Sequence, residues 1–144
     1  MILPDVNVLV YAYRRESAHH VRYANWLTDV VGGAEELALS EGTLTGFLRI
    51  VTNPRIYADP APAGHALAFA DALCRAVRRR WVSVTDSVWA NFAALVDDDA
   101  QVRGNMLPDA WLAALAKAHG CRLATADRGF ARFAGLDWFD PARA

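Results

Sequence analysis

The sequence predicts an α/β protein, a three-layer α/β/α sandwich around a central, mostly parallel sheet. Three observations carry this reading. Short apolar runs recur along the chain, and segments with helical apolar spacing separate them. Strands joined through helices make βαβ units, so the sheet is parallel and covered on both faces. The length of 144 residues, 54% apolar and 22% charged, suits one hydrophobic core, so residues 1–144 are read as a single domain.

The elements follow in order. Ile2 to Pro4 is a short strand, followed by a helix through Val8, Leu9 and Tyr11. Residues 18–31 form a second helix, with Ala24, Leu27, Val30 and Val31 on one face and Gly32-Gly33 as its stop. Leu37 to Ser40 is the second strand. Leu44, Phe47, Leu48 and Val51 stand at i, i+3, i+4 and i+7 and mark an amphipathic helix that Asn53-Pro54 ends. Asp59 to Gly64 is a loop between helices. A long helix over 63–79 is predicted to turn Leu67, Ala70, Cys74 and Val77 inward. Trp81 to Thr85 is the third strand, with Asp86 as N-cap of a helix striped by Val88, Phe92, Leu95 and Val96. Pro108 opens a helix that runs to about His119, and Gly120 caps it. Cys121 to Thr125 is a strand, a short helix covers 128–134, and Leu136 to Phe139 is the last strand.

Composition excludes several classes. No apolar run approaches the roughly 18 residues that cross a bilayer. The opening Met1-Ile2-Leu3-Pro4-Asp5 lacks the charged and apolar regions of a signal peptide, so the expected location is cytoplasmic. Cys74 and Cys121 have no CxxC partner and make no disulfide framework. The four histidines show no zinc spacing. A net charge of −1 is not the global footprint of a nucleic-acid binder, so any RNA contact must come from local patches. Lys117 is the only lysine among 15 basic residues.

The placement of certain acids is more informative. Asp5 follows the first strand, Glu41 the second, and Asp127 the strand ending near Thr125; Asp109 stands in the first turn of the Pro108 helix. In an open parallel sheet, functional groups gather outside the carboxyl ends of the strands. Each acid alone has a local role open to it, as helix cap, dipole partner or turn residue. Jointly they put several carboxylates in one cleft, where they repel one another until protonated or neutralised by a cation. Oxygen donors without Cys or His suit Mg2+ or Mn2+. Two such ions about 3.5–4 Å apart would clamp an in-line phosphoryl displacement.

These residues also carry a family resemblance. Leu3-Pro4-Asp5-Val6-Asn7-Val8-Leu9 resembles the first motif of PIN domains. The stretch from Glu41 to Pro54 resembles the second, and in particular that of toxins of VapBC-type toxin–antitoxin systems. Pro108 to Ala116 resembles the third acidic motif, and Leu123 to Phe130 the fourth. The resemblance implies an Mg2+-dependent endoribonuclease (Mn2+ being possible) in which Asp5, Glu41, Asp109 and Asp127 hold the metal and are the catalytic residues. It also implies an RNA substrate, a homodimer, and inhibition by a small cognate antitoxin, in a hetero-oligomer with it. Asn7 and Thr125 are candidate donors orienting Asp5 and Asp127, and Ser40 and Thr43 are candidates near Glu41; local backbone bonds are the other reading of all four.

Arg14, Arg15 and Arg22 are candidates for the approach to the pocket, with Arg49 and Arg55 further ones. Arg78-Arg79-Arg80 is read as a helix end, Asp97-Asp98-Asp99 as a solvated turn, and most of the five tryptophans as core or dimer-interface residues. Two other enzyme classes fail on single positions. A haloacid-dehalogenase-like phosphatase needs an aspartate where Asn7 stands, and a receiver module needs a lysine after a late strand, whereas Lys117 lies within a helix. The remaining alternative is a catalytically silent PIN fold that binds RNA or protein. Its mark would be loss of an acid, and all four are present.

Overall fold

Strand β1 (Ile2–Pro4) lies at the centre of the sheet, and its alternating side chains show how the layers arise. Ile2 enters one core with Leu37, Leu39, Val8, Leu9 and Phe47. Leu3 enters the other with Ala38, Leu123, Val88 and Ala113. Both strand faces are therefore apolar, as a sheet covered on both sides requires.

The computed structural model describes residues 1–144. Its other strands are β2 (Leu37–Leu39), β3 (Arg79–Trp81), β4 (Arg122–Ala124) and β5 (Trp138–Phe139), all parallel in the order β3-β2-β1-β4-β5. Helices α1 (Val6–Tyr13), α2 (His20–Gly32), α3 (Glu41–Val51) and α4 (Ala63–Cys74) cover the first face. Helices α5 (Asp86–Asp98) and α6 (Leu107–Ala118) cover the second, with a 3-10 helix at Arg128–Arg132. This division follows from handedness. Crossovers from β1 through β2 to β3 step one way across the sheet and those to β4 and β5 step back, so right-handed connections fall on opposite faces. The order reverses between β1 and β4, the kind of seam where open sheets place their sites. No helix is long and apolar enough to cross a membrane.

Pro4 shapes the end of β1. It pairs with Ala124 of β4, whereas the β1–β2 register is limited to Ile2 opposite Leu37. Proline has no N–H to continue the ladder on the β2 side. Asp5 N still donates to Ala124 O at 2.8 Å, so the chain stays attached to β4 as it turns into α1.

Four expectations need correction. Helix α4 ends at Cys74, and its buried residues are Ala66, Ala70 and Leu73; Leu67 is 50% and Val77 97% exposed. Strand β3 is Arg79–Trp81 rather than 81–85, so the arginine run feeds an edge strand rather than ending a helix. Register with β2 decides this, with Leu39 opposite Trp81. The N-cap of α5 is Thr85, whose hydroxyl accepts from Val88 N, and Asp86 is the first helical residue. The tryptophan expectation holds for three of the five: Trp26, Trp111 and Trp138 pack partly buried against the cores, whereas Trp81 and Trp89 are exposed. The acidic run is mixed in role: Asp97 and Asp98 end α5, and Asp99 pairs with Arg132 at 3.1 Å.

Candidate active site

Asp5 is the N-cap of α1, and both its oxygens are engaged. Oδ1 accepts from Val6 N at 2.6 Å. Oδ2 accepts from the Thr125 hydroxyl at 2.7 Å and from Asn7 Nδ2 at 2.9 Å. Thr125 is fully buried at the end of β4 and in turn accepts from Asn7 Nδ2 and from Asp127 N at 3.1 Å. Asn7 Oδ1 accepts from Ala126 N at 3.2 Å. Asn7 and Thr125 therefore stitch the end of β1 to the end of β4 and fix the Asp5 carboxylate.

Of the two readings open for Ser40 and Thr43, the structure follows the local one. The Ser40 hydroxyl donates to Thr43 Oγ1 at 2.7 Å and accepts from Thr43 N at 3.2 Å. They cap α3 and bond each other, which fixes the helix start that carries Glu41 without touching its carboxylate. Glu41 is exposed in that first turn. Asp109 occupies the first turn of α6, behind Pro108. Asp127 caps the 3-10 helix, with Oδ1 accepting from Gly129 N at 2.7 Å.

Asp5, Glu41 and Asp109 line one groove of about 900 Å3, together with Arg49 and an apolar wall that includes Trp81, Trp89 and Trp111. Asp127 stands outside that lining, yet its charge reaches both Asp5 and Asp109. Burial pushes the Asp5 carboxyl above the usual range; its Thr125 and Val6 hydrogen bonds oppose this, and the Asp109 and Asp127 charges add to it. Asp109 is raised by burial first and by Asp127 second. No arginine or lysine counters either shift.

No group of three His, Cys, Asp or Glu side chains is already arranged to hold a metal ion. Asp5 and Asp109 fit a hard cation, being oxygen donors that burial and neighbouring acidic charge hold above the ordinary carboxylate range. Mg2+ retains several waters and needs only one or two direct carboxylates.

The arginine expectations divide. Arg49 lines the groove. Arg14 is paired with Glu16, donates to Asp59 O and lies 4.0 Å from the Tyr57 ring. Arg22 donates to Ala142 O at 2.7 Å, beside a second cavity. Neither Arg14 nor Arg22 lines the groove, nor do Arg15 and Arg55. The aromatic wall beside the acids was not assigned to the site from sequence. The one signal for it was the number of tryptophans.

The sequence matches the PIN domain family over residues 2–136, a span that takes in all four acids. It is also 38% identical to the VapC ribonuclease Mb2897 of Mycobacterium bovis, over 98% of this chain and 95% of that protein. The chain belongs to the PIN-domain family, in its VapC branch. Ribonuclease VapC33 of Mycobacterium tuberculosis is 33% identical over 99% of both chains. Among solved structures, VapBC2 of Rickettsia felis bound to a promoter DNA fragment superposes with a TM-score of 0.71. That match covers 97% of this chain and 98% of the other at 19% identity, and so speaks for the PIN fold. The VapC fold accounts for the end of β1 lying beside the end of β4, where Asp5 and Thr125 meet.

Proposed function

We propose that this VapC-family chain is a divalent-metal-dependent endoribonuclease and the toxin of a toxin–antitoxin pair. The observation that carries the proposal is the groove lined by Asp5, Glu41 and Asp109, in which burial and neighbouring acidic charge hold Asp5 and Asp109 above the ordinary carboxylate range. Asp5, Glu41, Asp109 and Asp127 are the residues that would hold the ion, Mg2+ or Mn2+. When bound, such an ion polarises a phosphoryl oxygen and lowers the pKa of a coordinated water.

The chain's own residues prepare the reaction. Thr125 and Asn7 aim Asp5 by donating to a single oxygen, Oδ2. The Ser40–Thr43 pair anchors the turn bearing Glu41. Gly129 N holds one oxygen of Asp127 and leaves the other for a ligand. The net reaction adds water across one P–O bond of the RNA backbone, giving one phosphate end and one hydroxyl end. The named functions of VapC relatives support RNA as the substrate.

A small cognate antitoxin is the expected partner, and the VapBC2 neighbour supports this. A basic side chain from the antitoxin entering the acidic pocket would replace the charge of the ion there. The toxin is expected as a homodimer, or as a hetero-oligomer with antitoxin, in the cytoplasm.

The test is cleavage of total cellular RNA by partner-free protein with Mg2+ and with EDTA, alongside Asp109→Asn. Discrete fragments that need both metal and Asp109 are the expected result. No cleavage by the folded wild-type protein would turn the reading toward a silent binding module.

A further inference from the structure

A second cavity, of about 440 Å3, shares no lining residue with the groove. Four separate parts of the chain build it. Tyr11 comes from α1, His19 and Arg22 from the head of α2, Ala126 from the turn after β4, and Asp140 and Arg143 from the segment after β5. Its charge is opposite in sign to the groove's. Two arginines and a histidine face one acid here, whereas three acids and one arginine line the groove.

That single acid is already occupied. Asp140 Oδ1 accepts from the Tyr23 hydroxyl at 2.9 Å and from Ala142 N at 3.0 Å, and Oδ2 pairs with Arg143 Nε at 3.2 Å. Arg22 is fixed by Nη1, which donates to Ala142 O at 2.7 Å. Its Nε and Nη2, and both Nη groups of Arg143, donate no hydrogen bond within the protein. Each guanidinium is therefore held at one nitrogen and free at two. An arginine anchored in this way loses less side-chain freedom when it takes a ligand than one loose in solvent.

We infer that this cavity binds the phosphate group of a phosphate monoester through Arg22 and Arg143. Guanidinium forks match oxyanions, and the donor supply decides which one. A carboxylate offers two oxygens and one charge. A phosphate monoester offers three strong acceptor oxygens and close to two charges at neutral pH, which suits two arginines. Tyr11 and His19 add further side chains able to donate. The site goes beyond the nuclease reading and stands whether or not the chain cuts RNA. Ala126 links it to the acids: its N–H donates to Asn7 Oδ1 at 3.2 Å, and Asn7 Nδ2 donates to Asp5 Oδ2 at 2.9 Å.

The experiment titrates metal-free protein in EDTA with inorganic phosphate, at ionic strength held constant with chloride, by calorimetry and by amide NMR shifts. The amides of Arg22, Ala126 and Arg143 should move, and those of Gly42 and Gly46 in the groove should not. Arg22→Gln and Arg143→Gln are each expected to weaken phosphate binding roughly 10- to 100-fold. Arg22 also holds the C-terminal segment, so the exposed Arg143 supplies the variant that keeps its fold. Asp109→Asn, a change to the groove alone, should leave the affinity as it is. Two oligodeoxynucleotides of one sequence, ending in a phosphate or in a hydroxyl, separate the sources. Tighter binding of the phosphorylated end than of inorganic phosphate would make a nucleic-acid terminus the ligand, and no such gain would make it free phosphate. No response to phosphate, shifts confined to the groove, unchanged affinity in folded Arg143→Gln, or equal affinity for acetate would overturn the site. Phosphate binding without any RNA cleavage by wild type would defeat the nuclease reading and leave this site standing.

Discussion

Asp5 and Thr125 sit on the β1–β4 seam, where buried side chains and three donors fix one carboxylate. Across the groove, Asp109 stands at the head of α6 with burial and the Asp127 charge acting on it and no hydrogen bond to offset them. Glu41, at the head of α3, is exposed. One half of the candidate site is held by hydrogen bonds within the protein, and the other half is not. Asp5, Glu41 and Asp109 line one groove with Asp127 outside it, and no three of them are arranged as a ready metal cage. Strand ends are positioned by the ladder, whereas residues at helix heads can adjust by side-chain rotation.

The contrast is broken most severely at its fixed half. Asp5→Asn is expected to lower metal-dependent cleavage roughly a thousandfold while circular dichroism stays native, because it removes a ligand charge. Full metal-dependent activity in the folded variant would remove Asp5 from the site. Thr125→Val keeps the shape and removes the hydroxyl that aims Asp5. The Mg2+ concentration for half-maximal cleavage should then rise roughly 10- to 100-fold; an unchanged requirement would reduce Thr125 to a structural role.

Smaller effects sharpen the other half. Asp109→Asn relieves a repulsion in the metal-free protein and should raise its Tm by roughly 1–2 °C, while removing the further rise that Mg2+ gives the wild type. Calorimetry with and without Mg2+ checks both parts. The smallest effect is on pH dependence. Asp5 and Asp109 have folded pKa values raised above the unfolded ones, so the folded state holds more protons between the two values. Metal-free stability should therefore fall as pH rises from the ordinary carboxylate range through the raised values, and be regained on acidification within that window. Saturating Mg2+ should flatten this slope. A metal-free protein whose stability rose with pH across the window would contradict the repulsion.

Much of this architecture can be read from local pattern. Ile2-Leu3-Pro4 and Leu37-Ala38-Leu39 are apolar on both faces, so their burial in a parallel sheet is written in their composition. Helix α3 has its stripe at Leu44, Phe47 and Val51, and all three are buried. Helix α4 misleads because alanine lies all round it. Small residues blur the stripe, and the choice of Ala66, Ala70 and Leu73 over Leu67 belongs to its neighbours. Strand β3 misleads because an edge strand needs only backbone pairing, and Arg79-Arg80-Trp81 carries no buried stripe.

For the site the division is similar. Motif and order single out Asp5, Glu41, Asp109 and Asp127, because an acid directly after a strand or at a helix head is a local feature. Sequence alone also marks Asn7 and Thr125 as possible supports. Only the tertiary structure turned them into one network, because Asn7 and Thr125 lie 118 residues apart and meet through the β1–β4 pairing. It alone set Ser40 and Thr43 to capping, took Arg14 and Arg22 away from the groove, and brought Trp81 and Trp89 into it. Chain pattern specifies which residues can do chemistry. Which of them face one another depends on strand order and helix packing, both long-range properties that no local window contains.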